Sequence, residues 1–156
     1  MNLHYYMVKK SLSMNIKSLL FSVLIVILIV SCNSRDKKSE YKHIVYHAVN
    51  GKDTAVLAID INDKRFFGRY ERSYYQQGKD SGDVRGDIKG DTLRGDFHYI
   101  SNGGSWKRVP LALLKKENKL FLGSGVIGIY FNLPCFMPGT PIEYDNSKFV
   151  FEEIKK

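Results

Sequence analysis

The sequence predicts an all-β domain: an antiparallel meander that closes into a small, roughly eight-stranded barrel. Three observations carry this. From Tyr41 onward, short β-branched and aromatic runs alternate with turn signals, and no stretch holds a helical period. Adjacent runs, folded about their turn residues, place apolar side chains opposite apolar ones and charges opposite charges. Glycines recur between two larger residues in Phe66-x-Gly68-x-Tyr70, Val84-x-Gly86-x-Ile88 and Leu93-x-Gly95-x-Phe97. Glycines at matching depths on successive strands suit a tightly coiled sheet.

Strands are expected near 42–49, 54–61, 64–75, 82–89, 91–100, 106–115, 118–124 and 147–154, with turns at Asn50-Gly51, Asn62-Asp63, Gly90-Asp91 and Glu117-Asn118. In the first hairpin Ile44 and Tyr46 share the inward face with Ala55 and Leu57, whether the turn has two or four residues. A two-residue loop at Asn62-Asp63 pairs Ile59 with Phe66, Leu57 with Gly68 and Ala55 with Tyr70, and sets Asp60 against Arg65. A two-residue loop at Gly90-Asp91 pairs Ile88 with Leu93, Gly86 with Gly95 and Val84 with Phe97. The other face then opposes Asp87 to Arg94 and Arg85 to Asp96. The two Arg-Gly-Asp triplets therefore lie mid-strand in pairing positions, not on an adhesive loop tip.

Leu120 to Ile142 contains no Asp, Glu, Lys, Arg or His. Pro134, Pro138, Pro141 and four glycines exclude a membrane helix. A strand that closes the barrel, followed by a packed apolar loop across one end, is the expected structure. A ligand-lining or membrane-dipping segment is the functional alternative.

Upstream, Lys17 precedes an apolar run from Leu19 to Val30, broken only by Ser22 and followed by Ser31-Cys32. Twelve residues cover roughly 18 Å as a helix, short for a bilayer core about 30 Å thick but suited to a signal-peptide core. The stretch Ile29-Val30-Ser31-Cys32 resembles the lipobox of bacterial lipoproteins, with Ile29 and Val30 where the usual pattern has Leu and then Ala or Ser. The resemblance implies cleavage before Cys32, a diacylglyceryl group on its sulfur and acylation of its new amino terminus. It also implies a bacterial cell-envelope protein held to a membrane by lipid. Asn33, in place of the Asp linked to inner-membrane retention, leans toward the outer membrane.

The expected organisation is a signal peptide over 1–31, with Met14 an alternative start, then a lipidated cysteine and polar, disordered tether over 32–40. One barrel-like domain follows over 41–156. The whole chain has 24 Lys and Arg against 16 Asp and Glu; without Lys9, Lys10 and Lys17 the balance falls from +8 to +5. These charges are interspersed, which suits solubility or an anionic membrane surface, and nucleic acid is not an expected partner. With Cys32 committed to lipid, Cys135 has no pairing partner within the chain and is expected to be buried.

Chemistry-bearing residues are sparse. His43 and His47 lie about 13 Å apart on a strand, too far to share one ion. His98 faces Asp83 on the outer side of its hairpin. There is no phosphate loop, no paired-cysteine metal knuckle and no Ser-centred elbow, so no catalytic residue, metal or cofactor is assigned. Arg69 to Tyr75 interleaves cations and aromatics and reads as a strand with Tyr70 in the core and Tyr74 and Tyr75 at a rim. The expected role is non-catalytic binding of a small apolar ligand or an envelope protein. The expected barrel is similar in architecture to lipocalin-like domains, and in the carrier version Leu57, Phe66 and Phe97 would line the ligand cavity together with residues 126–137. The alternatives are an inhibitor of a cell-wall-degrading enzyme, or a hydrolase whose site assembles His43, His98 and Cys135 from a distance.

Overall fold

The computed structural model describes residues 40–155. The signal segment, Cys32 and nearly all of the tether lie outside the described residues. The strands in chain order are β1 (Lys42–Asn50), β2 (Asp53–Ile61), β3 (Arg65–Tyr74), β4 (Gly78–Lys89), β5 (Thr92–Ile100) and β6 (Trp106–Lys116). They continue as β7 (Lys119–Leu122), β8 (Ser124–Gly125), β9 (Ile127–Tyr130), β10 (Leu133–Phe136), β11 (Ile142–Glu143) and β12 (Val150–Glu153). Eight of them form a closed antiparallel barrel in the order β1-β12-β7-β6-β5-β4-β3-β2. The expected all-β meander and its closure are present.

Alternation builds the core. Inward positions along β2, β3, β4 and β5 supply Leu57, Ile59, Phe66, Tyr70, Val84, Leu93 and Phe97, all essentially inaccessible to solvent. The β4–β5 hairpin has the expected register: Ile88 opposes Leu93, Gly86 opposes Gly95 and Val84 opposes Phe97. Gly90 occupies its tight loop at φ +58, a left-handed conformation open to glycine. On the outer face Asp96 receives Arg85 at 3.8 Å and Arg108 of β6 at 3.3 Å. Asp87, although opposite Arg94 in register, has its ion pair with Arg65 of β3 at 3.5 Å.

The β2–β3 register differs from expectation by two residues: Ile61 opposes Phe66, Ile59 opposes Gly68 and Leu57 opposes Tyr70. The turn is longer because Asn62 organises it, its Oδ1 accepting from the backbone N–H groups of Lys64 and Arg65 at 2.8 and 2.7 Å. Its own N–H donates to the Arg65 carbonyl at 3.0 Å. This asparagine turn outcompetes a two-residue loop. A shift of two preserves which face each side chain takes, so the core is unaffected. Asp60, however, opposes Phe67 rather than Arg65, and its carboxylate bonds His43 Nδ1 at 2.9 Å.

Closure comes late in the chain. β12 enters between β7 and β1, with Phe151 opposite Leu120 and Tyr46 opposite Glu153. Phe149 and Phe151 are buried with the rest of the core.

The apolar stretch after β7 does not cross a barrel end as a packed loop. It folds into two small two-stranded sheets, β8 with β11 and β9 with β10. Part of it lies on the outer wall. Ala112 opposes the outward Arg94 yet has no exposed surface, as β10 packs against β6; the Gly123 N–H prolongs the β6–β7 ladder to the Ala112 carbonyl at 2.8 Å.

Where Gly86 meets Gly95 the two backbones approach too closely for side chains. A Cβ on Gly95 would lie 1.9 Å from the Arg85 carbonyl oxygen and 2.7 Å from the Gly86 Cα. Gly95→Ala is expected to lower the unfolding free energy by about 2–3 kcal/mol, read as a lower urea midpoint, because backbone atoms on both strands must shift.

Candidate functional site

Leu57, Phe66 and Phe97 are interior packing residues, each 1% exposed, within a single apolar cluster. Tyr70 packs on Phe97 at 4.7 Å between ring centroids and on Phe151 at 5.8 Å, and Phe97 stacks on Tyr99 at 4.4 Å. Five surface concavities, all open to solvent, are lined by residues other than Leu57, Phe66 and Phe97.

Above these rings lies an inward-facing ion pair. Arg72 and Asp80 oppose each other on β3 and β4, and Arg72 Nη2 meets Asp80 Oδ2 at 2.8 Å. Their side chains are only 20% and 9% exposed. The guanidinium carbon lies 5.2–5.9 Å from the ring centroids of Tyr70, Tyr74, Phe97 and Tyr99. Asp80 also accepts from the Tyr74 hydroxyl at 3.0 Å and the Asn102 backbone N–H at 3.0 Å. The carboxylate is thus well satisfied, whereas the Tyr70 hydroxyl and Arg72 Nε have no protein partner.

Electrostatics follow from this burial. Burial works against the Arg72 cation, but the pull of Tyr70 and Tyr74 in their ionised, alkaline forms and of the Asp80 carboxylate outweighs it and raises its pKa. Burial raises the Tyr70 hydroxyl against the opposing pull of Arg72. Tyr74 is pushed up to about 12 by burial, opposed by Arg72 and reinforced by its bond to Asp80. Both phenols are neutral at physiological pH, so the cluster is one cation, one anion and a ring of aromatic faces. Its interaction capacity is largely used internally.

The surface offers a different feature. At the β9–β10 hairpin Tyr130 opposes Leu133, and the loop residues Phe131 and Asn132 sit at φ 47° and 60°. Two successive positive-φ residues mark a type I′ turn, whose twist matches the strands it joins. Asparagine tolerates that conformation; phenylalanine is strained in it. Phe131 is nonetheless 82% exposed, and Ile129 and Tyr130 are 69% and 67% exposed. With Ile127 and Leu133 also exposed, the hairpin displays contiguous apolar side chains of the kind that marks an interaction site. Its inner residues Gly128, Pro134, Cys135 and Phe136 are half-buried.

The remaining candidates stay apart. His43, on β1, bonds Asp60, while His98, on β5, opposes Asp83 and packs on Trp106 at 4.7 Å between ring centroids. Cys135 is a free thiol on the two-stranded β9–β10 hairpin and is half-buried, not buried as its sequence context led one to expect. Among the described residues no three His, Cys, Asp or Glu side chains converge as a metal site would require. Comparison with known proteins returned no matching family model, no matching curated protein and no matching solved structure.

Arg72 and Asp80 escaped the sequence reading although their parity was available, Arg72 lying two residues beyond inward Tyr70 and Asp80 four before inward Val84. Asp80→Ala strands a buried cation and is expected to destabilise the domain by about 3–5 kcal/mol in urea unfolding. Arg72→Met combined with Asp80→Leu should recover most of that loss. Unchanged stability in Asp80→Ala would show that the pair is solvated.

Proposed function

We propose that this chain is a lipoprotein of the bacterial cell envelope, anchored at the outer membrane through Cys32, whose role is binding rather than catalysis. The observation that carries the binding role is the β9–β10 hairpin. A phenylalanine in a strained turn and exposed neighbours on both strands contribute little to the barrel's own stability, so their use lies in contact with something else. The barrel acts as a rigid mount for that hairpin.

Carriage of a small apolar ligand in the interior has less support. Leu57, Phe66 and Phe97 already occupy one another's packing space, and the Arg72–Asp80 pair with its aromatic surround lies beside them. A ligand there would have to displace these close-packed rings.

The address rests on the Leu19–Val30 run and the Ser31-Cys32 junction. Several acyl chains on one cysteine would hold the domain durably, since each buried CH₂ contributes about 0.8 kcal/mol. In the natural host the full chain should incorporate labelled palmitate and sediment with membranes. Cys32→Ala should abolish the label and leave an uncleaved or released protein. An unlabelled chain with Cys32 intact would contradict the anchor.

A further inference from the structure

We infer that the β9–β10 hairpin is a second membrane contact, its Tyr130-Phe131 tip entering the boundary between headgroups and acyl chains of an anionic bilayer. The inference rests on reading the chain as a lipoprotein, because the bilayer meant is the one that holds Cys32.

Four observations select a bilayer over a protein surface. The stretch from Leu120 to Ile142 carries no charged residue or histidine, whereas a protein-binding patch is normally rimmed by polar and charged groups. An aromatic tip with a tyrosine hydroxyl suits the interfacial zone, where one end of the ring is apolar and the other wet. Only the tip can enter, since a two-stranded hairpin has unpaired backbone groups along its edges and these must stay hydrated. Cations flank the base: Lys89 and Arg94 line a concavity with Met137 and Tyr144, and no acidic residue lines it. Glu143, exposed on β11, is the nearest acid along the chain beyond the apolar stretch.

The chain's entry point agrees. Seven residues separate Cys32 from Glu40, eight Cα–Cα steps with a reach of at most about 28 Å. Tyr41 packs on Phe67 at 5.1 Å between ring centroids and shares a concavity with Arg94, the same arginine that lines the concavity beneath residues 137–144. Tyr41, where the described chain enters the barrel, thus lies on the wall that carries the hairpin's base.

The test uses residues 33–156 without lipid, the mature chain of the proposed lipoprotein less its acylated cysteine; among the described residues the core is drawn from Ile44 to Phe151. Trp106→Phe removes the single tryptophan, and Tyr130→Trp places a reporter at the tip. Added to vesicles of phosphatidylcholine containing phosphatidylglycerol, this protein should shift its emission to shorter wavelength and be quenched by brominated acyl chains. Vesicles of phosphatidylcholine alone should bind it more weakly. Ile129→Ser with Phe131→Ser should lower the partition coefficient more than about tenfold and leave the urea midpoint unchanged. No shift on either vesicle would overturn the inference. So would concentration-dependent self-association that the paired serine substitutions abolish, which would assign the hairpin to a second copy. Palmitate labelling of the full chain without a vesicle shift would overturn the hairpin contact alone. A vesicle shift without palmitate labelling would overturn the lipoprotein reading and leave the hairpin's affinity for lipid standing.

Discussion

Closure of the ladder by β12 is the interaction on which the rest of the structure depends. This four-residue strand pairs on one side with β7 and on the other with β1, and the Ile154 N–H extends the second pairing to the Val45 carbonyl at 2.8 Å. Without it, both neighbours would present open edges. With it, every inward position faces a closed interior, which Tyr70, Phe97, Phe149 and Phe151 then fill. The appended sheets between β7 and β12 lie outside that interior, with β10 packed against β6 on the outer wall.

The Arg72–Asp80 pair shows how a barrel of this size admits charge inside without opening a binding cavity. The cation has a carboxylate at hydrogen-bond distance and aromatic faces around it, and the carboxylate has three donors. Pairing of that quality offsets desolvation but does not make the site strongly stabilising. Its contribution is better described as fixing how β3, β4 and the 101–105 loop meet. The β9–β10 hairpin has the opposite character: few of its side chains stabilise the barrel, and one of them strains it.

Much of the fold was legible because a strand has a period of two. The β4–β5 register followed from one turn and matched at every position. At β2–β3 the turn length was misread, since the Asn62 side-chain bonds that lengthen it are invisible to a count of residues. The faces survived because an error of two leaves parity intact. Arg72 was hidden for another reason: charged residues beside exposed Arg69 and Tyr75 read as surface unless parity is given priority over polarity. The candidate site was half legible. The absence of charge from 120 to 142 was plain, but whether such a run is packed or displayed depends on long-range contacts. The short β8–β11 pairing and the cover over Ala112 decide it, and neither has a local signature.

The central claim is that the interior is closed to ligands and that recognition belongs to the surface. Native mass spectrometry of residues 33–156 purified from the natural host tests it most directly. The account predicts a protein of its own sequence mass with nothing bound in the barrel. A small apolar molecule of defined mass, retained in stoichiometric amount and lost on unfolding, would contradict it.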